Sequence, residues 1–174
     1  MSGASINLSE ENAAHIRNSL RMRSGDEIIV CDGRRGGYTA AIEVDNKKIT
    51  AKLGIKTACQ NEPFYSLTVF QALTKADKFE TVIQKCAELG AVEIVPVVTE
   101  RVICLNTKAL NSKNKTLSRW QKISESAAKQ SGRGIVPQVR EITPLGEAME
   151  LASGITHCAA AHEKNVNGSL FVSE

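Results

Sequence analysis

The stretch LTVFQALTKADKFETVIQKCAELGAVEIVPVV, residues 67–98, decides the fold class. Leu67 to Leu73 predicts a strand, and Asp77 stands where a helix cap belongs, with Glu80 in the reciprocal position of a capping box. Phe79, Val82, Ile83, Cys86 and Leu89 recur at helical spacing as a buried stripe, Gly90 ends the helix, and Glu93 to Val98 predicts a second strand. A strand, a helix and a strand in that order imply a right-handed crossover between parallel neighbours.

Towards the C-terminus the alternation repeats. A helix is predicted from Thr116 to Ser131, a strand from Val136 to Ile142, a helix capped by Thr143 with Pro144 in its first turn, and a strand from Thr156 to Ala161. The resulting sheet is mainly parallel and covered on both faces, and ligands of such sheets sit beyond the carboxyl ends of the strands. That rule selects Gln71 to Lys78, Thr99-Glu100-Arg101 and His162-Glu163.

Towards the N-terminus the rhythm is different. Ser9 caps a helix whose inner stripe is Ala13, Ile16 and Leu20, and Ser24-Gly25-Asp26 turns into a strand from Glu27 to Cys31. The glycine-rich tract Asp32 to Gly37 reads as a hairpin loop, with strands from Tyr38 to Val44 and from Lys47 to Leu53. These short strands predict a small β-barrel. The polar segment Lys56 to Ser66, interrupted by Pro63, reads as a linker between two domains.

Charge is concentrated along the chain. Between Arg101 and Arg140 nine Lys or Arg residues face one acid, Glu125, although the net charge is only +3. On the Thr116–Ser131 helix, Arg119, Lys122 and Lys129, with Arg133 just beyond, fall on one side, while Leu117, Trp120, Ile123, Ala127 and Ala128 fall on the other. Such a row suits a polyanion, because each neutralised phosphate releases condensed counterions. The alternative is a solvated helix face. Arg17, Arg21, Arg23, Arg34 and Arg35 gather near turns of the N-terminal module and suit the same ligand.

Composition excludes several classes. Hydrophobic residues at 42% and charged residues at 24% are those of a globular chain. No apolar run approaches a bilayer span of roughly 20 residues, and the start has no signal-peptide pattern, so a cytoplasmic location is expected. The five cysteines include no C-x-x-C pair, and the three histidines lack a trustworthy ligand spacing, so neither disulfide framework nor metal is signalled. No P-loop, dinucleotide fingerprint or nucleophile elbow is present.

Several strings together resemble one family: Leu20-Arg21-Met22-Arg23 before Gly25-Asp26, Gln71-Ala72-Leu73-Thr74-Lys75 leading to Lys78-Phe79-Glu80, and Ile83 to Gly90. Thr99-Glu100-Arg101, Arg119-Trp120-Gln121-Lys122-Ile123 and Gln130-Ser131-Gly132-Arg133 with Val136-Pro137 complete the set. The chain is similar to the ribosomal RNA small subunit methyltransferase E family, 16S ribosomal RNA uridine-N3 methyltransferases. The resemblance runs over nearly the whole sequence.

The resemblance implies an α+β fold of two domains: a PUA-like RNA-binding β-barrel over 1–60 and an α/β SPOUT domain, the knotted methyltransferase class, over 61–174. It implies S-adenosylmethionine as cofactor, 16S ribosomal RNA or the assembled small subunit as partner, and a homodimer. The family's cofactor strings, G-P-E-G-G and L-R-x-E-T-A, do not occur before Glu174, and the R-F-F opening is absent. The expectation is therefore an incomplete SPOUT domain without its C-terminal knot segment, with at most His162 and Glu163 near the cofactor. Ala76 stands where the family carries glycine.

Methylation at uridine N3 requires loss of the N3 proton and stabilisation of the charge spread onto O2 and O4. A guanidinium suits the second task, which makes Arg101 and Arg133 the catalytic candidates; Glu100 or Glu125 would take the proton or hold an arginine. Arg21, Arg23, Arg34, Arg35, Arg119, Lys122 and Lys129 would grip RNA, with Lys75 and Lys78 at the helix entrance. Two other readings stay open: an RNA-binding module without catalysis, and a small α/β enzyme acting on an anionic metabolite.

Overall fold

The computed structural model describes residues 3–45, 48–59, 61–100, 113–160 and 171–173. The chain divides into two compact units, Met1–Ser66 with Glu125–Val136, and Leu67–Ser124 with Pro137–Glu174. Among the described residues no helix is long and apolar enough to cross a membrane.

In the first unit, β1 (Ser5–Asn7), β2 (Glu27–Cys31), β3 (Gly36–Asp45) and β4 (Lys48–Ala58) form an antiparallel sheet in the order β1-β4-β3-β2. Period-two alternation sends Ala40 and Ile42 of β3 and Ile49, Ala51 and Leu53 of β4 to one buried face. Ala13 and Ile16 close over it from α1 (Glu10–Ala14) and the π-helical segment His15–Ser19 that continues it. Ser9 caps α1 by accepting the Asn12 N–H at 3.3 Å. At the π-helical end the ladder lengthens by one residue, the Leu20 N–H reaching His15 O. That widening turns Leu20 outward, 54% exposed, against the inner stripe expected for it.

Further differences come from the sheet itself. A bulge between Tyr38 and Ala40 shifts the β3–β4 register, and β4 then runs on to Ala58, into the stretch expected to be linker. Strand β1 is unannounced by the sequence pattern, because three residues hold too little alternation.

The second unit is built on parallel strands. β5 (Leu67–Ala72) pairs with β6 (Ala91–Val98), whose other edge pairs with β7 (Gln138–Val139) and β8 (Thr143–Pro144). Strand β6 is the core: Ile94 faces one side, while Val95 and Val97 face the other. On the Ile94 side lie Phe79 and Ile83 of α2 (Ala76–Glu88), Trp120 of α3 (Lys113–Gln130), Leu73 and Val139. Phe79 and Trp120 pack ring against ring at a 50° tilt with centroids 4.7 Å apart, a contact beyond the ~1.5–3 kcal/mol that burying such a side chain contributes. Ala148 of α4 (Leu145–Ser153) covers the opposite face with Phe70. The expected parallel sheet with two covered faces is present, but the strand expected from Thr156 to Ala161 does not join it.

The strand expected from Val136 to Ile142 shrinks to β7, and β8 follows beyond its expected end. Pro96 explains the break: β7 pairs at Glu93 and Ile94, β8 at Val97 and Val98, and the proline, which has no N–H to donate, lies between them. Helix α2 differs from its predicted start. It begins at Ala76 with Lys75 at the cap and no side-chain cap bond, so Asp77 sits in the first turn rather than capping with Glu80. Leu89 is 75% exposed, because it lies past the last helical turn, before the left-handed Gly90. Likewise α4 starts after Pro144, and Thr143 lies in β8 rather than at the cap. β9 (Cys158–Ala160) pairs antiparallel with β10 (Phe171–Ser173).

Candidate nucleic-acid interface

On α3, Arg119, Lys122 and Lys129 are exposed, while Trp120, Ser124, Ala127 and Ala128 are buried. Arg119 donates to Glu80 Oε2 at 2.8 Å across the surface of the second unit, and its side chain stays 67% exposed. A pair this open adds little stability and leaves guanidinium donors available. Lys129 donates to Asn12 Oδ1 at 3.1 Å within the first unit. Glu125 is half-buried one turn before Lys129.

Arg133 is not on this row. Gly132, at φ 64, turns the chain as α3 ends, and the Arg133 N–H caps Ala128 O at 2.9 Å. The side chain enters the first unit, where its Nη2 meets Glu62 Oε2 at 2.8 Å and its Nε meets Glu62 Oε1 at 3.2 Å. Both side chains are almost wholly excluded from solvent. Glu62 Oε1 also accepts the N–H groups of Gly134 and Ile135. Burial pushes the Glu62 carboxyl up, but the Arg133 hydrogen bond, the two N–H donors and the Arg133 charge together hold it below its ordinary value. Extending the helical wheel past Gly132 therefore misplaced Arg133: it anchors a loop instead of facing an anion.

Glu62 escaped the sequence reading because a carboxylate in a polar stretch before Pro63 looks like solvated linker. Asn61 beside it donates to Ser131 O at 2.8 Å, so both residues fasten the loop that follows α3.

The arginines of the first unit's N-terminal part that were expected to grip RNA, Arg21, Arg23, Arg34 and Arg35, divide into two groups. Arg21, Arg23 and Arg34 are exposed. Arg35, at φ 68, points its Nη2 at Tyr65 O, 2.8 Å away, and at Ser66 Oγ, 3.3 Å away. It ties down residues 65 and 66, a task for which a planar multi-donor group is suited. Asp32 organises the hairpin by accepting the Arg34 and Gly36 N–H groups, and the Arg34 bond leads the causes that lower its carboxyl.

At the carboxyl ends of β5 and β6 in the second unit, Lys75, Lys78 and Glu100 are exposed. Arg101, His162 and Glu163 lie outside the described residues. A cavity of about 60 Å³ beside Trp120 is lined by Asn114, Thr116, Leu117, Glu141 and Ile142. Among the described residues no group of three or more His, Cys, Asp or Glu is placed to hold a metal ion.

Comparisons with known proteins bear on this geometry. The RNA methyltransferase domain model matches residues 60–171, and the RNA methyltransferase PUA domain model matches residues 8–54. A ribosomal RNA small subunit methyltransferase E from Synechocystis is 33% identical over 151 residues, covering 87% of this chain and 48% of the relative. The Bacillus subtilis protein of that name is 31% identical over 164 residues, covering 92% and 62%. The chain thus spans about half to three-fifths of the length of these curated relatives.

Among solved structures, a ribosomal RNA small subunit methyltransferase E from Neisseria gonorrhoeae bound to S-adenosyl methionine superposes with a TM-score of 0.76 at 33% identity. The match covers 86% of this chain and 60% of that one. A methyltransferase from Legionella pneumophila in complex with the cofactor SAM gives 0.75 at 27% identity, covering 94% and 67%.

Proposed function

Because the chain belongs to the RNA methyltransferase family, with a PUA domain beside the methyltransferase domain, we propose that it serves S-adenosylmethionine-dependent methylation of a uridine N3 in 16S ribosomal RNA. The observation that carries this reading is the exposed Arg119, Lys122 and Lys129 on a helix of the matched domain. The proposed organisation is an RNA-binding PUA-like domain over 1–60 and a methyltransferase domain over 61–174, acting as a homodimer on the RNA or the assembled small subunit.

RNA is gripped by Arg21, Arg23, Arg34, Lys75, Lys78, Arg119, Lys122 and Lys129, with Arg35 a secondary contact because its guanidinium also holds residues 65 and 66. Counterion release supplies most of the affinity, and the target base must leave its stack to react. Arg101 is the guanidinium assigned to the charge on O2 and O4, with Glu100 adjacent to it in the chain. Arg133 drops from that role, since its charge is matched by Glu62 in the interior. The cofactor supplies the methyl group when bound.

A second reading, an RNA-binding module without catalysis, rests on the exposed cations and the PUA domain match alone. Calorimetry with S-adenosylmethionine and a 16S RNA hairpin, followed by mass analysis of the recovered RNA, separates the two. Cofactor heat and a methylated uridine support the enzyme; RNA binding without either supports the module. No RNA binding contradicts both.

A further inference from the structure

Two thiols of the first unit meet outside the proposed interface chemistry. Cys31 ends β2, Cys59 follows the end of β4, and β3 runs between them. Their sulfurs are nonetheless 3.4 Å apart. The residue between them makes this possible: Gly37 pairs with Cys31 on one side and Thr57 on the other. A Cβ on Gly37 would stand 3.3 Å from the Cys59 sulfur, so the missing side chain leaves the space the thiols share. Gly134 does the same on another side, where an added Cβ would come within 2.5 Å of the Cys59 sulfur. Two glycines thus bound the sulfur of Cys59 and direct it toward Cys31.

We infer that Cys31 and Cys59 form a modification site, a vicinal thiol pair that closes to an intramolecular disulfide with a disulfide oxidant such as oxidised glutathione. One thiolate attacks glutathione disulfide and releases one glutathione; the second protein thiolate displaces the other and forms the Cys31–Cys59 bond. The protein loses two electrons and two protons, and glutathione disulfide gains both. The sulfurs must approach to ~2.0 Å, and both residues lie at strand ends, where the backbone yields most readily. Cys31 is exposed, which admits the oxidant. Burial, the Cys59 thiol, Asp32 and Glu62 push the Cys31 thiol up to about 11, so closure accelerates as pH rises. The other described cysteines, Cys86 and Cys158, have no such neighbour among the described residues.

The test equilibrates the reduced full chain with glutathione buffers of increasing oxidation, traps free thiols with a maleimide and maps peptides by mass. The expected result is loss of two thiols per chain, one peptide pair joining 31 to 59, and a more reducing midpoint in the folded chain than in urea. Cys31→Ser and Cys59→Ala each abolish the pair and take up a single glutathione. Mixed disulfides without a bridge in the unsubstituted chain, a bridge to another cysteine or another chain, or a midpoint equal to that in urea overturns the inference. The peptide map of the unsubstituted chain decides the matter even where a substituted chain fails to fold.

Discussion

Glu62 and Arg133 lie 71 residues apart and meet in the interior of the first unit, Arg133 Nη2 2.8 Å from Glu62 Oε2, with two further N–H groups on the same carboxylate. Removing one partner of a buried, hydrogen-bonded pair leaves an uncompensated charge, a loss of about 3–5 kcal/mol. Glu62→Ala and Arg133→Ala are each expected to lower unfolding stability by that amount in urea titration. The double variant should lose less than the sum of the two. Additive losses would show that the pair contributes nothing as a pair.

Acid should find the same site. The Glu62 carboxyl is held below its unfolded value of about 4.5, so its contribution is fully present above that pH and disappears as pH falls through the folded-state value. Stability measured below pH ~4.5 should therefore fall more steeply in the unsubstituted chain than in Glu62→Gln. Parallel curves would contradict the assignment.

Trp120 is the only tryptophan and packs against Phe79, so its fluorescence reports on the second unit. Phe79 is fully buried, and Phe79→Ala should cost about 3–5 kcal/mol by that readout, with Phe79→Leu costing far less. A loss below ~1 kcal/mol would mean that the α2–β6–α3 core is packed differently.

Gly134→Ala places a Cβ within 2.5 Å of the Cys59 sulfur and 3.0 Å of its Cβ. Overpacking of this kind costs about 1–3 kcal/mol, and Cys59→Ala in the same chain should recover much of it. Failure of the second substitution to restore stability, read by thermal unfolding, would place the strain elsewhere.

How far the sequence carried depends on whether a residue's role is local. Ser9 caps its helix and Gly90 ends another as read, because caps and left-handed turns are settled within a few residues. The Phe79–Ile83 stripe and the parallel order of β5 and β6 follow from spacing alone. Arg133 and Glu62 were illegible because their meeting is a long-range event, and charge on a helical wheel says nothing after a glycine reverses the chain. Pro96 was legible as a proline but not as the reason for a split edge, which requires knowing which strands flank β6. Arg35 looked like a free cation until the carbonyl of Tyr65 came within reach.

The central claim is that the exposed cations of the hairpin and of α3 dock RNA, and its most direct test is the salt dependence of binding to a fluorescent 16S RNA hairpin. Four or five phosphate contacts predict that log affinity falls with log salt at a slope of about −3 to −3.5, taking ~0.7 per contact on single strands. Arg34→Ala with Lys122→Ala should make the slope shallower by about 1.4 while the fold stays intact. A flat salt dependence, or a slope unchanged by removing these two charges, would contradict the account.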